Sequence, residues 1–252
     1  MMRLMRWMLA MVLGCMVLGG VARADDRPPA HQPVLEETFE QYAVGTFPGR
    51  WEVRGDEAEA RTIYRVAEEE AGNRFLRASA ERQDIQIGLT KKFGPEQYPV
   101  LRWRWRVTRL PTGGDERAKP TNDSAAAVYV VFDSRIMPRA IKYVWSTTLP
   151  VGSTFTSPNY WRGKVVVLQS GPPDSPAWRQ ETVNFYEDYK ELFGFAPGEV
   201  QGVAILTDSD VTRSSAQADY DDLAVLPAAA LHTLERNETT VASALGDRQE
   251  RQ

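Results

Sequence analysis

The chain has 252 residues, enough for one substantial domain, and a formal net charge of −4 that speaks against nucleic acid or a generic anionic membrane as partner. With two histidines and one cysteine in all, the usual Ser–His, Cys–His and histidine-ligated zinc arrangements have too few residues to draw on. At the N-terminus, Arg3 and Arg6 precede the apolar run Met8–Val21, and Ala22-Arg23-Ala24 offers the small residues a signal peptidase reads. Residues 1–24 are therefore expected to be a cleaved signal peptide. That places the mature chain in the periplasm of a Gram-negative bacterium or outside the cell; lipoprotein processing at Cys15 is the rival. The apolar run falls short of the ~20 residues that span a bilayer, so the mature protein is expected to have no membrane span. Of the 30 basic residues, three lie in this leader, so 27 then face 34 acidic ones, and the mature chain carries no disulfide. Residues 25–33 read as a linker and 34–227 as one domain. The tail, 228–252, where the apolar pattern fades, reads as disordered or loosely helical.

Along the domain, short strand-like runs alternate with turn residues. Ile85, Ile87, Leu89 and Phe93 alternate with polar neighbours up to the Gly94-Pro95 break. Leu101–Val107 reads L-R-W-R-W-R-V: an extended strand puts Leu101, Trp103, Trp105 and Val107 on one face and Arg102, Arg104 and Arg106 on the other. The tryptophans need a broad apolar layer over them, and the arginines need carboxylates or a polar ligand. Ala125–Phe132 suits a strand buried on both faces. Ile141, Tyr143 and Trp145 alternate with Lys142 and Ser146, Lys164–Leu168 and Val200–Leu206 are β-branched runs, and Tyr220–Leu226 closes the domain. A helix is predicted over Phe185–Phe193, with Gly194 as the residue that ends it. The expected fold is all-β: an antiparallel jelly-roll β-sandwich with one short helix. Two long loops, Thr112–Asn122 and Val151–Gly163, interrupt the pattern. The second carries Phe155, Tyr160 and Trp161, rings that either plug one end of the sandwich or form a platform for a sugar.

The domain opens with Phe39, Glu40, Tyr42, Gly45, Phe47, Pro48 and Trp51 in the pattern F-E-x-Y-x-x-G-x-F-P-x-x-W and closes with Y-D-D-L-A-V from Tyr220. These ends resemble those of jelly-roll sandwiches of the galactose-binding and concanavalin-like kinds, many of which bind or act on glycans. A closer resemblance spans nearly the whole domain. It is carried in order by L-R-W-R-W-R-V, N-D-S-A-A-A-V-Y-V-V-F-D from Asn122, Y-V-W-S from Tyr143, W-R-Q-E-T-V-N-F-Y-E-D-Y-K-E-L-F-G from Trp178 and I-L-T-D-S-D from Ile205. On these motifs the chain resembles the exported bacterial family catalogued as domain of unknown function 3047. The resemblance implies a fold and a compartment, and no activity. In galactose-binding-like sandwiches a structural calcium often sits between first and last strands; the matching acids here are Glu40 and Asp222, the alternatives being a solvated Glu40 at the edge and an Asp222 that caps a turn or pairs with an arginine.

An enzyme built on this chain has to run on carboxylates, with Tyr, Lys or Arg in support. Glu181, Asp188 and Asp208 are the catalytic candidates, for glycoside hydrolysis or polysaccharide lysis. The non-catalytic alternative is a groove for a carbohydrate or other cell-envelope polymer formed by Arg104, Trp145, Tyr160, Trp161, Asp208 and Asp210; a third is an envelope scaffold. Asp219, Asp221 and Asp222 lie together in the last strand, so at least one meets the buried side and needs a cation or an arginine from the row in L-R-W-R-W-R-V. Arg104 itself is expected either to pair with Glu181 or Asp208 across the sandwich face or to point at ligand.

Overall fold

A computed structural model describes residues 32–133, 136–175 and 177–230. The expected leader with Cys15, both histidines and nearly all of the 228–252 tail lie outside the described residues. Thirteen strands and two α-helices are described, in two facing sheets. Sheet I holds β1 (Leu35–Glu37), β3 (Tyr64–Glu68), β4 (Arg74–Glu81), β6 (Val100–Arg109), β11 (Arg179–Asn184) and β13 (Ser215–Leu226). Its order is β11-β6-β13-β4-β3, with β1 beside the second half of β13. Sheet II runs β2 (Glu52–Arg54), β5 (Gln86–Phe93), β12 (Val200–Leu206), β7 (Ala126–Phe132), β8 (Arg139–Ser146), β10 (Gly163–Ser170) and β9 (Thr154–Thr156), in that spatial order. The last strands switch sheets at every step, so first and last strands pair and the fold is a jelly-roll β-sandwich. One pair departs from the antiparallel expectation: β10 runs parallel to β8, because β9 turns the chain back between them.

The alternation in β6 does what its pattern demands. Trp103 and Trp105 are 1% and 0% exposed, and their rings meet edge to face at 5.3 Å. Across the sandwich Trp103 lies 5.8 Å from Tyr143 and Trp105 6.0 Å from Trp145, so four aromatic rings form the centre of the core. Each such buried ring removes enough apolar surface from water to contribute roughly 2–3 kcal/mol.

The helix α2 spans Phe185–Phe193 as predicted. The Asn184 side chain accepts from the Glu187 N–H at its start, and Gly194, at φ 81°, ends it in the left-handed conformation. Its Phe185 and Tyr189 pack on Phe132 and close one end of the sandwich. The other helix, α1 (Glu57–Ile63), has no counterpart in the sequence reading, which expected a single helix. It has seven residues, only Ala60 and Ile63 are buried, and its one strong signal is the Asp56 cap accepting from Glu59 N–H.

The opening motif folds around an acid that the sequence did not single out. Glu37 is buried and accepts from Phe39 N–H (2.9 Å), Gln41 Nε2 (2.6 Å), the Tyr42 hydroxyl (3.0 Å) and Trp51 Nε1 (3.3 Å). Phe39 stacks on Trp51 at 5.9 Å. Tyr42 and Trp51 are thus the donors that let one carboxylate lie buried at the sheet edge.

Candidate functional site

The arginine row of β6 lies on the outer face of sheet I. Cross-strand register sets Asp219 opposite Arg106 and Asp221 opposite Arg104. Asp219 accepts from Arg77 Nε (2.9 Å) and Nη2 (3.1 Å) and from Arg106 Nε (2.8 Å). Asp221 accepts from Arg104 Nη2 (2.7 Å) and Asn73 Nδ2 (3.0 Å). Asp222 occupies a bulge at φ 48°, between the Asp221–Arg104 and Ala224–Arg102 pairs, and its exposed carboxylate lies 2.8 Å from Arg104 Nε. The Trp178 ring covers Arg104 and Arg106 at 4.9 and 4.3 Å, and its Nε1 donates to Glu69. Arg104 therefore pairs with Asp221 and Asp222, and neither Glu181 nor Asp208 is its partner. Glu40 accepts from Arg74 N–H (2.9 Å), so both acids expected at a calcium are held by nitrogen donors.

Glu181 and Asp188 lie by the edge between the sheets. Glu181 Oε1 accepts from Trp105 Nε1 (3.1 Å) and Gln169 Nε2 (2.8 Å), and Asp188 Oδ2 accepts from the Tyr143 hydroxyl (2.6 Å). Burial raises both carboxyls above the ordinary range, with the hydrogen bonds lowering them only in part. Trp145 is core, 2% exposed, its Nε1 donating to Gly171 O. The six residues expected to form a groove are thus spread over the outer face of sheet I, the core, and two regions of sheet II.

Sheet II carries an open surface. Cross-strand pairing aligns Glu52, Gly88, Ala204, Tyr129 and Lys142 in one outward row and Thr90, Gly202, Val131 and Ala140 in the next. Where the row is glycine and alanine the surface sinks into a depression of ≈ 290 Å³ lined by residues that include Glu52, Arg54, Gln86, Thr90, Pro138 and Gln201. Gly202 sits at a register shift in β12, and a Cβ there would lie 2.2 Å from Leu89 O, so only glycine lets β5 and β12 approach this closely. The aromatic loop is tied to Pro138, one of the residues that line this depression. The Tyr160 hydroxyl and Arg162 Nε both donate to Pro138 O, and Trp161, 70% exposed, lies over the Arg162 guanidinium at 5.3 Å. Phe155 turns the other way, onto the small apolar cluster of Val144, Val165 and Leu206. The loop therefore covers part of the outer face of sheet II with Phe155, where it plugs neither end of the sandwich, and leaves Trp161 exposed.

A buried polar cluster adjoins the Tyr129 end of that row. Lys142, on the polar side of the alternation in β8, is buried; its Nζ donates to Ser124 Oγ (2.8 Å) and faces Tyr129, Asp208 and Glu116. Burial lowers its pKa, but these three groups outweigh that and raise it. Glu116, from the Thr112–Asn122 loop, is buried and accepts from Ser146 Oγ (2.6 Å). Asp123, Asp208 and Asp210 each place one carboxylate oxygen within 4.8 Å of the others. Asp123 also accepts from Val211 N–H (3.3 Å) and from both the N–H and hydroxyl of Thr212. Desolvation, against the pull of Lys142, pushes Asp208 up to about 9, with Asp123 and Asp210 adding to the rise. Sequence reading named Asp208 and Asp210 here but passed over Glu116 and Lys142; alternation alone marks Lys142 as outward, and no local signal says that two loops cover it.

These features define a jelly-roll sandwich with an open, glycine-floored outer face. The chain belongs to the family described as protein of unknown function (DUF3047), whose profile matches residues 50–224. No curated protein sequence matches it. Among solved structures it is similar to endoglucanase 3 of Trichoderma harzianum, of glycoside hydrolase family 12, at 12% identity over 80% of this chain and 100% of that one, with a TM-score of 0.37. The xyloglucanase domain of NopAA from Sinorhizobium fredii matches at 11% identity, 77% and 100% coverage and a TM-score of 0.36. The glycoside hydrolase domain of endo-D from Streptococcus pneumoniae R6 matches at 13% identity and a TM-score of 0.32; 69% of this chain spans 21% of that one. At these scores nothing about this chain's ligand follows from the likeness.

Proposed function

We propose that the protein is exported and binds a polysaccharide or related cell-envelope polymer, without catalysis, in the depression on the outer face of sheet II. The observation that carries this reading is an exposed indole on a loop anchored to one wall of a polar-edged trough. Trp161 lies on the loop anchored to Pro138, and Pro138 lines a trough whose floor is Gly88, Gly202 and Ala204 and whose rim includes Arg54, Gln86 and Thr90. Polyhydroxylated rings bind by stacking an apolar face on an aromatic side chain while amides and guanidinium groups meet the hydroxyls. Glycoside hydrolysis needs two carboxyls roughly 5–10 Å apart across the scissile bond. Glu52 is the one acid among the residues lining the trough, which favours binding over cleavage.

Affinity electrophoresis against a panel of soluble polysaccharides and peptidoglycan fragments tests it. The wild-type chain should be retarded by at least one. Trp161→Ala should weaken that retention by roughly thirtyfold, the ~2 kcal/mol of an exposed aromatic anchor, with an unchanged melting temperature. Retention by none of them, or equal retention of Trp161→Ala, overturns the proposal.

A further inference from the structure

We propose that Asp123, Asp208 and Asp210 form a binding site for a divalent cation of the calcium class, which ties the start of β7 to the loop between β12 and β13. Asp123 lies three residues before β7, and Asp208 and Asp210 lie just beyond β12, so distant segments bring the three carboxylates together. Their oxygens lie within 4.8 Å of one another. Ligands bound to one calcium at ~2.4 Å can be at most ~4.8 Å apart, across the ion, so one centre can reach all three.

A separate observation points to a ligand. Asp208 is 6% exposed, and among the described residues its buried Oδ1 has no hydrogen-bond partner. A carboxylate oxygen shut away from water without a donor is costly, and a hard cation is what such an oxygen takes up. Lys142 does not fill the need. Its ammonium is engaged by Ser124 Oγ and faces Glu116 and Tyr129 as well as Asp208, so one cation is shared among four carboxyl groups, Glu116, Asp123, Asp208 and Asp210. Asp84 adds further negative charge beside Asp210 and Asp123. All the side-chain donors are carboxylates, which suits calcium and disfavours zinc or copper. The N–H groups of Val211 and Thr212 hold Asp123 in orientation, so this member of the set stays placed whether or not a cation is bound.

The test uses the mature chain stripped with EDTA, with no polysaccharide present, so that it stands apart from the polymer-binding reading. Calcium is titrated by calorimetry and by thermal unfolding, and terbium luminescence is read through tryptophan excitation. The expected result is one calcium per chain and a rise in melting temperature. Asp210→Asn, at the least buried member, should weaken binding by about tenfold or more with an unchanged circular dichroism spectrum. Glu40→Gln and Asp222→Asn should bind as the wild type does. Absence of both heat and thermal shift at millimolar calcium overturns the site. So does wild-type affinity in Asp210→Asn, or loss of binding in Glu40→Gln and Asp222→Asn alone. Should Asp208→Asn fail to fold, Asp210→Asn decides.

Discussion

Glu37 shows what one side chain carries in this fold. Its carboxylate gathers the Phe39 N–H, the Tyr42 hydroxyl and the Trp51 indole, joining the first strand to the start of sheet II. Glu37→Ala strands these donors in a buried place and should cost about 3 kcal/mol, read as a lower urea midpoint at unchanged slope. A loss below about 0.5 kcal/mol would mean that water replaces the carboxylate. The opening motif was legible as a motif, but its purpose was not. Glu40, next to Phe39, looked like the acid of interest, whereas the chain turns at Phe39 (φ 60°) and leaves Glu40 exposed on Arg74. Trp161 was legible as an aromatic in a loop; that it stays exposed while Phe155 is tucked onto Val165 depends on how β9 folds back against β10.

Strand β6 is the element whose sequence says most about its surroundings. Its inward tryptophans and outward arginines follow from period-two alternation, and both faces are as expected. The partners of the arginines follow from register with β13, a strand more than a hundred residues later, which sets Asp219 and Asp221 on the arginine side, and from the bulge at Asp222, which brings a third carboxylate to Arg104. Because Asp221 is buried while paired, Arg104→Ala should cost about 3 kcal/mol, well above the ~1 kcal/mol ceiling of an exposed ion pair. Denaturation of Arg104→Ala, Asp221→Asn and the double variant measures their coupling; additive losses would show that the pair is merely adjacent. Helix α2 could be placed around Phe185–Phe193 because Gly194 is its own stop signal, and α1 was missed because packing, more than its short sequence, keeps it helical.

For the molecule as a whole, the carboxyls between and behind the sheets tie stability to pH. Asp188 is raised, by burial first. The folded chain therefore holds this proton to higher pH than the unfolded one. Its contribution to stability is complete below the ordinary carboxylate value of about 4 and is lost as pH rises through the folded value. Asp188→Asn keeps an acceptor for Tyr143 and abolishes the titration. Its urea midpoint should fall less than the wild type's between about pH 4.5 and 7, and an equal or steeper fall would refute the assignment. The family profile match and the two-sheet core agree with what alternation, turn residues and the run of motifs implied. Those are properties of neighbours in sequence: burial of every second side chain makes a strand's inner face readable from a few residues. The trough on sheet II, the pairing of Arg104 with Asp221, the burial of Lys142 and the meeting of Asp123 with Asp208 and Asp210 were decided only by tertiary structure. Each depends on which strands lie side by side, and a single shift of register, as at Gly202 or Asp222, changes which side chains meet without altering any local pattern.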